Sequence, residues 1–150
     1  ILEGELRFLG QRWAFAGRRK ADAPPIAPGD VPALFDILIL SQGLEDHAHP
    51  PTLEGIPRGM HIVASPAAAV VARRLGFVDV EELAPGESLQ VGDFLRIRAF
   101  PGSVVGPPWE LPANAYVFQD LRPGGRAFGA EPHGNFLGPA LGTSWRHLPR

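Results

Sequence analysis

Phe35-Asp36-Ile37-Leu38-Ile39-Leu40 is an apolar run short enough to form one strand buried on both faces. It leads directly into Ser41-Gln42-Gly43-Leu44-Glu45-Asp46-His47-Ala48-His49-Pro50-Pro51-Thr52, a polar stretch dense in carboxylate and imidazole. This junction constrains the chain more than any other feature. A strand buried on both faces belongs to a sheet covered by helices, and in open α/β sheets ligands collect where such strands end. With Glu45, the residues Asp46, His47 and His49 offer two carboxylates and two imidazoles. That set suits a divalent first-row metal, zinc above all, once a distant segment completes the shell. The same residues also read as a capped turn, with Asp46 as a helix N-cap and His47 and His49 solvated. Local chemistry leaves the two readings level.

The flanking segments extend the α/β pattern. Pro50 to Ile56 reads as one short helical turn, with proline at its start where a missing N–H costs nothing. Met60-His61-Ile62-Val63-Ala64 is expected as a second buried strand, with His61 a partly exposed strand residue rather than a ligand. Ser65-Pro66 opens a helix through Leu75: Ser65 caps it, Pro66 takes the first helical position and Gly76 stops it. Ala69, Val70, Ala72 and Leu75 are expected to face the sheet, with Arg73 and Arg74 in solvent near the C-terminal dipole. Phe77-Val78-Asp79-Val80 follows as a third strand, giving a βαβ layer with a largely parallel sheet.

The second half changes character. Phe94-Leu95-Arg96-Ile97-Arg98-Ala99-Phe100 alternates apolar and cationic residues, the mark of an antiparallel strand with one wet face. Ala115 to Asp120 and Arg126 to Ala130 read as two further strands joined by the turn Arg122-Pro123-Gly124-Gly125. Before the first strand, Ala23 to Asp30 is a proline-rich connector, and Arg18-Arg19-Lys20 is a solvated basic edge rather than a phosphate site.

Composition sets outer bounds. One hundred and fifty residues make one domain with a real core. Apolar content of 45% and charged content of 20% are ordinary for a globular chain, and a net charge of −2 gives no reason to expect nucleic acid or an anionic membrane. Cys is absent, which removes disulfides and thiolate chemistry. No apolar run approaches the roughly eighteen residues of a membrane span. The expected location is the cytoplasm, or the plastid stroma if the source is a plant.

The loop after Leu40 resembles the metal-binding loop of the metallo-β-lactamase fold, whose pattern is [ST]-H-x-H-x-D-H. Ser41 matches the small polar residue, Asp46 the aspartate and His47 the last histidine; Gln42 and Leu44 stand where the first two histidines would be. The string SQGLEDHAHPPT is similar to a branch of that superfamily, the Zn-dependent hydrolases of the β-lactamase fold in bacteria and plastids, where this degenerate half and the His-Ala-His-Pro-Pro-Thr half go together. The resemblance implies an αββα sandwich. It also implies that the chain, which starts at Ile1, is a fragment or a strongly truncated member lacking the N-terminal strands and the C-terminal part.

The resemblance extends to the site. Phe100-Pro101-Gly102-Ser103-Val104 occupies the place of a third histidine motif, with Ser103 or Val104 in place of the imidazole. Glu131 falls nearest the carboxylate that bridges two metals, with His133 two residues on; a plain turn is the alternative for Glu131-Pro132-His133-Gly134. The first metal site is therefore expected to be lost. A second, single metal would take Asp46, His47 and Glu131, helped by His49 or His133, and would activate a water against an ester, amide or phosphoester. Asp46 is the alternative general base if it does not ligate. Ser103 and Trp109, on the loop beside the site, are the expected contacts to a small-molecule substrate, although Trp109 also suits a buried loop anchor. No Gly-x-Ser-x-Gly elbow occurs. The other class that fits is a non-catalytic binding or scaffold protein on the same fold.

Overall fold

The computed structural model describes residues 25–103 and 113–133. They fall in two compact units, Ile1–Glu82 and Leu83–Arg150.

The first unit holds a three-stranded parallel sheet, β1 (Ile37–Leu40), β2 (His61–Ala64) and β3 (Val80–Glu82), in that spatial order. Short helices α1 (Val31–Leu34) and α2 (Pro50–Glu54) flank β1, and α3 (Pro66–Arg74) joins β2 to β3. The expected burial of the first strand on both faces belongs instead to the second. Ile62, Val63 and Ala64 are inaccessible, whereas Ile37, Leu38 and Ile39 stay half-buried. The reason is position: β2 has a neighbour on each side, and β1 lies at an edge of the described sheet.

Helix α3 begins as its sequence predicts. Ser65 Oγ accepts the Ala68 N–H at 3.3 Å, and Pro66 follows at the first helical position. Its end corrects two expectations. Gly76 adopts φ 89°, its N–H donates to Arg73 O, and the Phe77 N–H donates to Ala72 O. These two bonds form a Schellman stop, which takes Phe77 into the helix terminus and delays β3 to Val80. The Phe77 ring is buried beneath the Arg58 guanidinium, 4.8 Å from its centroid. Val70, expected against the sheet, is exposed. The inner face is made by Ala68, Ala69 and Ala72, small enough to bring the helix backbone close, and Val70 points away from all three.

The second unit is a four-stranded antiparallel meander: β4 (Ser88–Val91), β5 (Leu95–Pro101), β6 (Asn114–Asp120) and β7 (Ala127–Ala130). Along β5 the expected alternation is present, with Ile97 and Ala99 buried and Arg98 exposed. The β6–β7 turn closes through Asp120 N–H to Arg126 O at 2.8 Å, with Gly124 at φ 76°. Among the described residues, no helix is long and apolar enough to cross a membrane.

Candidate functional site

In the first unit the loop leaving β1 is seated by its own backbone. Leu40 O accepts the Ser65 N–H at 2.9 Å, which ties the exit of β1 to the start of α3. The Leu44 carbonyl then accepts from both His47 N–H and Ala48 N–H, at 2.9 and 2.8 Å, forming a single helical turn over the predicted ligands. Gly43 permits this path, since a Cβ there would lie 3.0 Å from the Ala67 Cβ. Gln42, at the place of the first histidine of the pattern, is wholly buried, while Leu44 is half-buried.

The three predicted residues of this loop have different surroundings. Asp46 and His47 are together, Oδ2 to Nε2 at 3.5 Å, with the Asp46 side chain 46% exposed. His49 is buried and faces its own helix: its Nδ1 lies 2.8 Å from Thr52 Oγ1, and its carbonyl accepts the Leu53 N–H at 3.0 Å. This corrects the expected cap. His49, not Asp46, occupies the position before α2, without a side-chain cap bond, because Pro50 and Pro51 leave few N–H groups to satisfy there. The His-Pro-Pro-Thr string thus has a structural explanation of its own.

In the second unit one carboxylate gathers the strand exits. Glu131 Oε1 accepts from the Ser103 N–H at 3.2 Å and the Ser103 Oγ–H at 2.9 Å, and Oε2 accepts the His133 N–H at 2.9 Å. Glu131 and Ser103 are both buried. The approach is tight: Gly102 N–H donates to Ala113 O at 2.7 Å, and a Cβ on Gly102 would meet that same oxygen at 2.6 Å. Ser103, Glu131 and His133 are thus joined by hydrogen bonds that link the end of β5 to the end of β7. Trp109 lies outside the described residues.

Sequence reasoning missed Asn114. Its amide Nδ2 donates to Leu83 O at 2.7 Å and to Tyr116 Oη at 3.1 Å, and it is wholly buried. Those two acceptors fix which way the amide points, and Asn114 Oδ1 is left without a donor among the described residues. Burial pushes the Tyr116 phenol up to about 12, and the Asn114 bond opposes that rise. The available signal was the Asn114/Tyr116 spacing, which puts both side chains on one face of β6.

A metal is what the resemblance implies, and the donors test it. Gln42, Leu44 and Ser103 bring no imidazole to the first site. At the second, both Glu131 oxygens accept hydrogen bonds from this chain. Among the described residues of each unit, no three His, Asp or Glu side chains are grouped as a metal ion needs. The residues described within either unit do not fit a metal centre.

No family model and no curated protein matches the sequence. Solved structures do resemble it. A possible metal-dependent hydrolase from Veillonella parvula superposes with a TM-score of 0.60 at 18% identity, over 76% of this chain and 46% of the other. An isothiocyanate hydrolase from Delia radicum gut bacteria gives 0.58 at 19% identity, over 75% and 45%. CmlA, a diiron β-hydroxylase from Streptomyces venezuelae, gives 0.55 at 17% identity, over 87% and 27%. The chain spans less than half the length of each. What is shared is the fold, a mixed α/β chain of the metallo-β-lactamase-like kind, common to a possible metal-dependent hydrolase, an isothiocyanate hydrolase and a diiron β-hydroxylase.

Proposed function

We propose that this chain is a binding or scaffold module on a metal-dependent hydrolase-like fold, its two units being halves of one domain. The observation that carries this reading is the Glu131 carboxylate. At the position the resemblance gives to a metal-bridging ligand, its two oxygens hold Ser103 and His133 backbone N–H groups and the Ser103 hydroxyl. A carboxylate in that role fixes loops, and removing it strands three donors. His49, a second expected ligand, is buried against Thr52.

A second reading is favoured by Asp46 and His47, which leave the carboxyl end of a parallel strand as an adjacent, partly exposed pair. On this reading the protein is a metal-dependent hydrolase of an ester, amide or phosphoester. Asp46 and His47 are then among the ligands of one zinc or iron ion. Metal content separates the two. The protein is purified without chelator, assayed by elemental analysis, then titrated with Zn²⁺, Mn²⁺ and Fe²⁺ by calorimetry. The binding-module reading expects far less than one metal per chain and no saturable site that Asp46→Ala abolishes. One tightly held metal per chain, lost in Asp46→Ala, would establish the hydrolase-like centre instead.

A further inference from the structure

The second unit carries a groove at the end of its sheet away from Glu131. β5 and β7 run toward Ser103 and Glu131, whereas the groove is built at the opposite ends of these strands, around Phe94, Asp120 and the β6–β7 turn. Its volume is about 510 Å³, within the range of small-ligand sites.

Three phenylalanines line it. Phe118 and Phe128, register partners on β6 and β7, are stacked with centroids 4.7 Å apart and planes 15° apart. Phe118 is half-buried, while Phe128 is 63% exposed and offers an open aromatic surface. Phe94, 45% exposed, lies close over Gly92, where a Cβ would come 3.1 Å from the ring. Large exposed rings on one concavity are uncommon on a surface without a ligand or partner.

The charges give the sign. Arg122 binds Asp120 in a fork, Nε to Oδ1 at 2.8 Å and a terminal nitrogen to Oδ2 at 2.7 Å, so that pair is neutral. Arg126 lines the same groove, is exposed, and its guanidinium has no carboxylate partner among the described residues. The groove therefore carries one net positive charge beside aromatic walls. The turn holding these arginines is tight: Gly125 is packed so closely on Asp120 O that a side chain cannot be placed there.

We propose that this groove binds a small planar aromatic carboxylate, its ring against Phe128 and Phe94 and its anion at Arg126. The geometry is open enough for a ring to slide in and stack, and a single rim cation matches a monoanion. The groove lies at the opposite end of its sheet from Glu131 and has neither Asp46 nor His47 in its lining, so it does not depend on whether the protein holds a metal.

The test is calorimetric titration of the chain with 2-naphthoate, and with 2-naphthol as the neutral analogue. Naphthoate is expected to saturate a single site and to bind more tightly than naphthol. Arg126→Gln should weaken naphthoate about threefold and leave naphthol unchanged, as an exposed charge pair predicts. Phe128→Ala should weaken both about fivefold. The Arg126 guanidinium makes no hydrogen bond among the described residues, so Arg126→Gln keeps the test sound if Phe128→Ala fails to fold. Absence of saturation overturns the proposal, as does equal naphthoate affinity in Arg126→Gln. So does a chain that is dimeric in solution and becomes monomeric in Phe128→Ala, since the groove would then be an interface between copies.

Discussion

The two units place a carboxylate beside a histidine after a strand, and they use it differently. In the first, the exposed Asp46 lies against the neighbouring His47 side chain, while the loop beneath it is held by backbone bonds to Leu44 O and by buried Gln42, Ala48 and His49. In the second, Glu131 is itself the fastening, buried and accepting from two residues. The contrast shows that a carboxylate-imidazole pair at a strand end is not one kind of object. Where the backbone satisfies itself the acid stays available, and where two strand exits bring N–H groups together the acid is consumed in satisfying them.

The largest expected effect tests the closeness of the strand exits in the second unit. Gly102→Ala should cost about 3 kcal/mol in urea unfolding, because its Cβ would meet the Ala113 carbonyl and neither backbone can retreat. A loss under about 1 kcal/mol would mean the β5 and β6 ends separate easily.

Next comes Glu131→Ala, which leaves the Ser103 and His133 donors without their acceptor and should cost about 2–3 kcal/mol. In the first unit, Asp46→Ala should change stability by less than about 0.5 kcal/mol. Equal effects at the two positions would erase the distinction between a fastening and an available acid.

The Tyr116 phenol gives a pH-dependent check on the second unit. Tyr116 is the single tyrosine, so tyrosinate absorbance reports it alone. Its folded pKa is about 12, against about 10 when unfolded. The unfolded chain thus releases the proton first, and stability is intact below pH ~10 and falls as pH rises toward 12, by about 2 kcal/mol. A folded-state midpoint near 10 would mean the ring is hydrated. In the first unit, Ser65→Ala removes the α3 cap and should cost about 1 kcal/mol, more than Asp46→Ala and less than Glu131→Ala.

Much of the fold was legible in local sequence. The Ser65-Pro66 start and Gly76 stop of α3 are local chemistry: a side-chain acceptor, a missing N–H and a positive φ, each decided within a few residues. The alternation along β5 and the Arg122–Gly125 turn are legible for the same reason. What local pattern misplaced were residues whose neighbours in space decided them. Phe77 reads as a strand residue by composition, but the Schellman bond to Ala72 and the Arg58 guanidinium claim it for the helix end. Val70 is apolar, yet three alanines on the opposite side of α3 fix which face is inward.

The candidate site divides along the same line. The sequence by itself determined which ligand types are missing, since Gln42, Leu44 and Ser103 carry no imidazole in any conformation. It also determined that Asp46 and His47 leave a strand together. Only the tertiary structure decided that His49 faces Thr52 and that Glu131 is taken up by Ser103, a residue 28 positions away. Hydrogen-bond demand at a buried strand exit depends on which other strand ends there, and chain order does not record that until the sheet has formed.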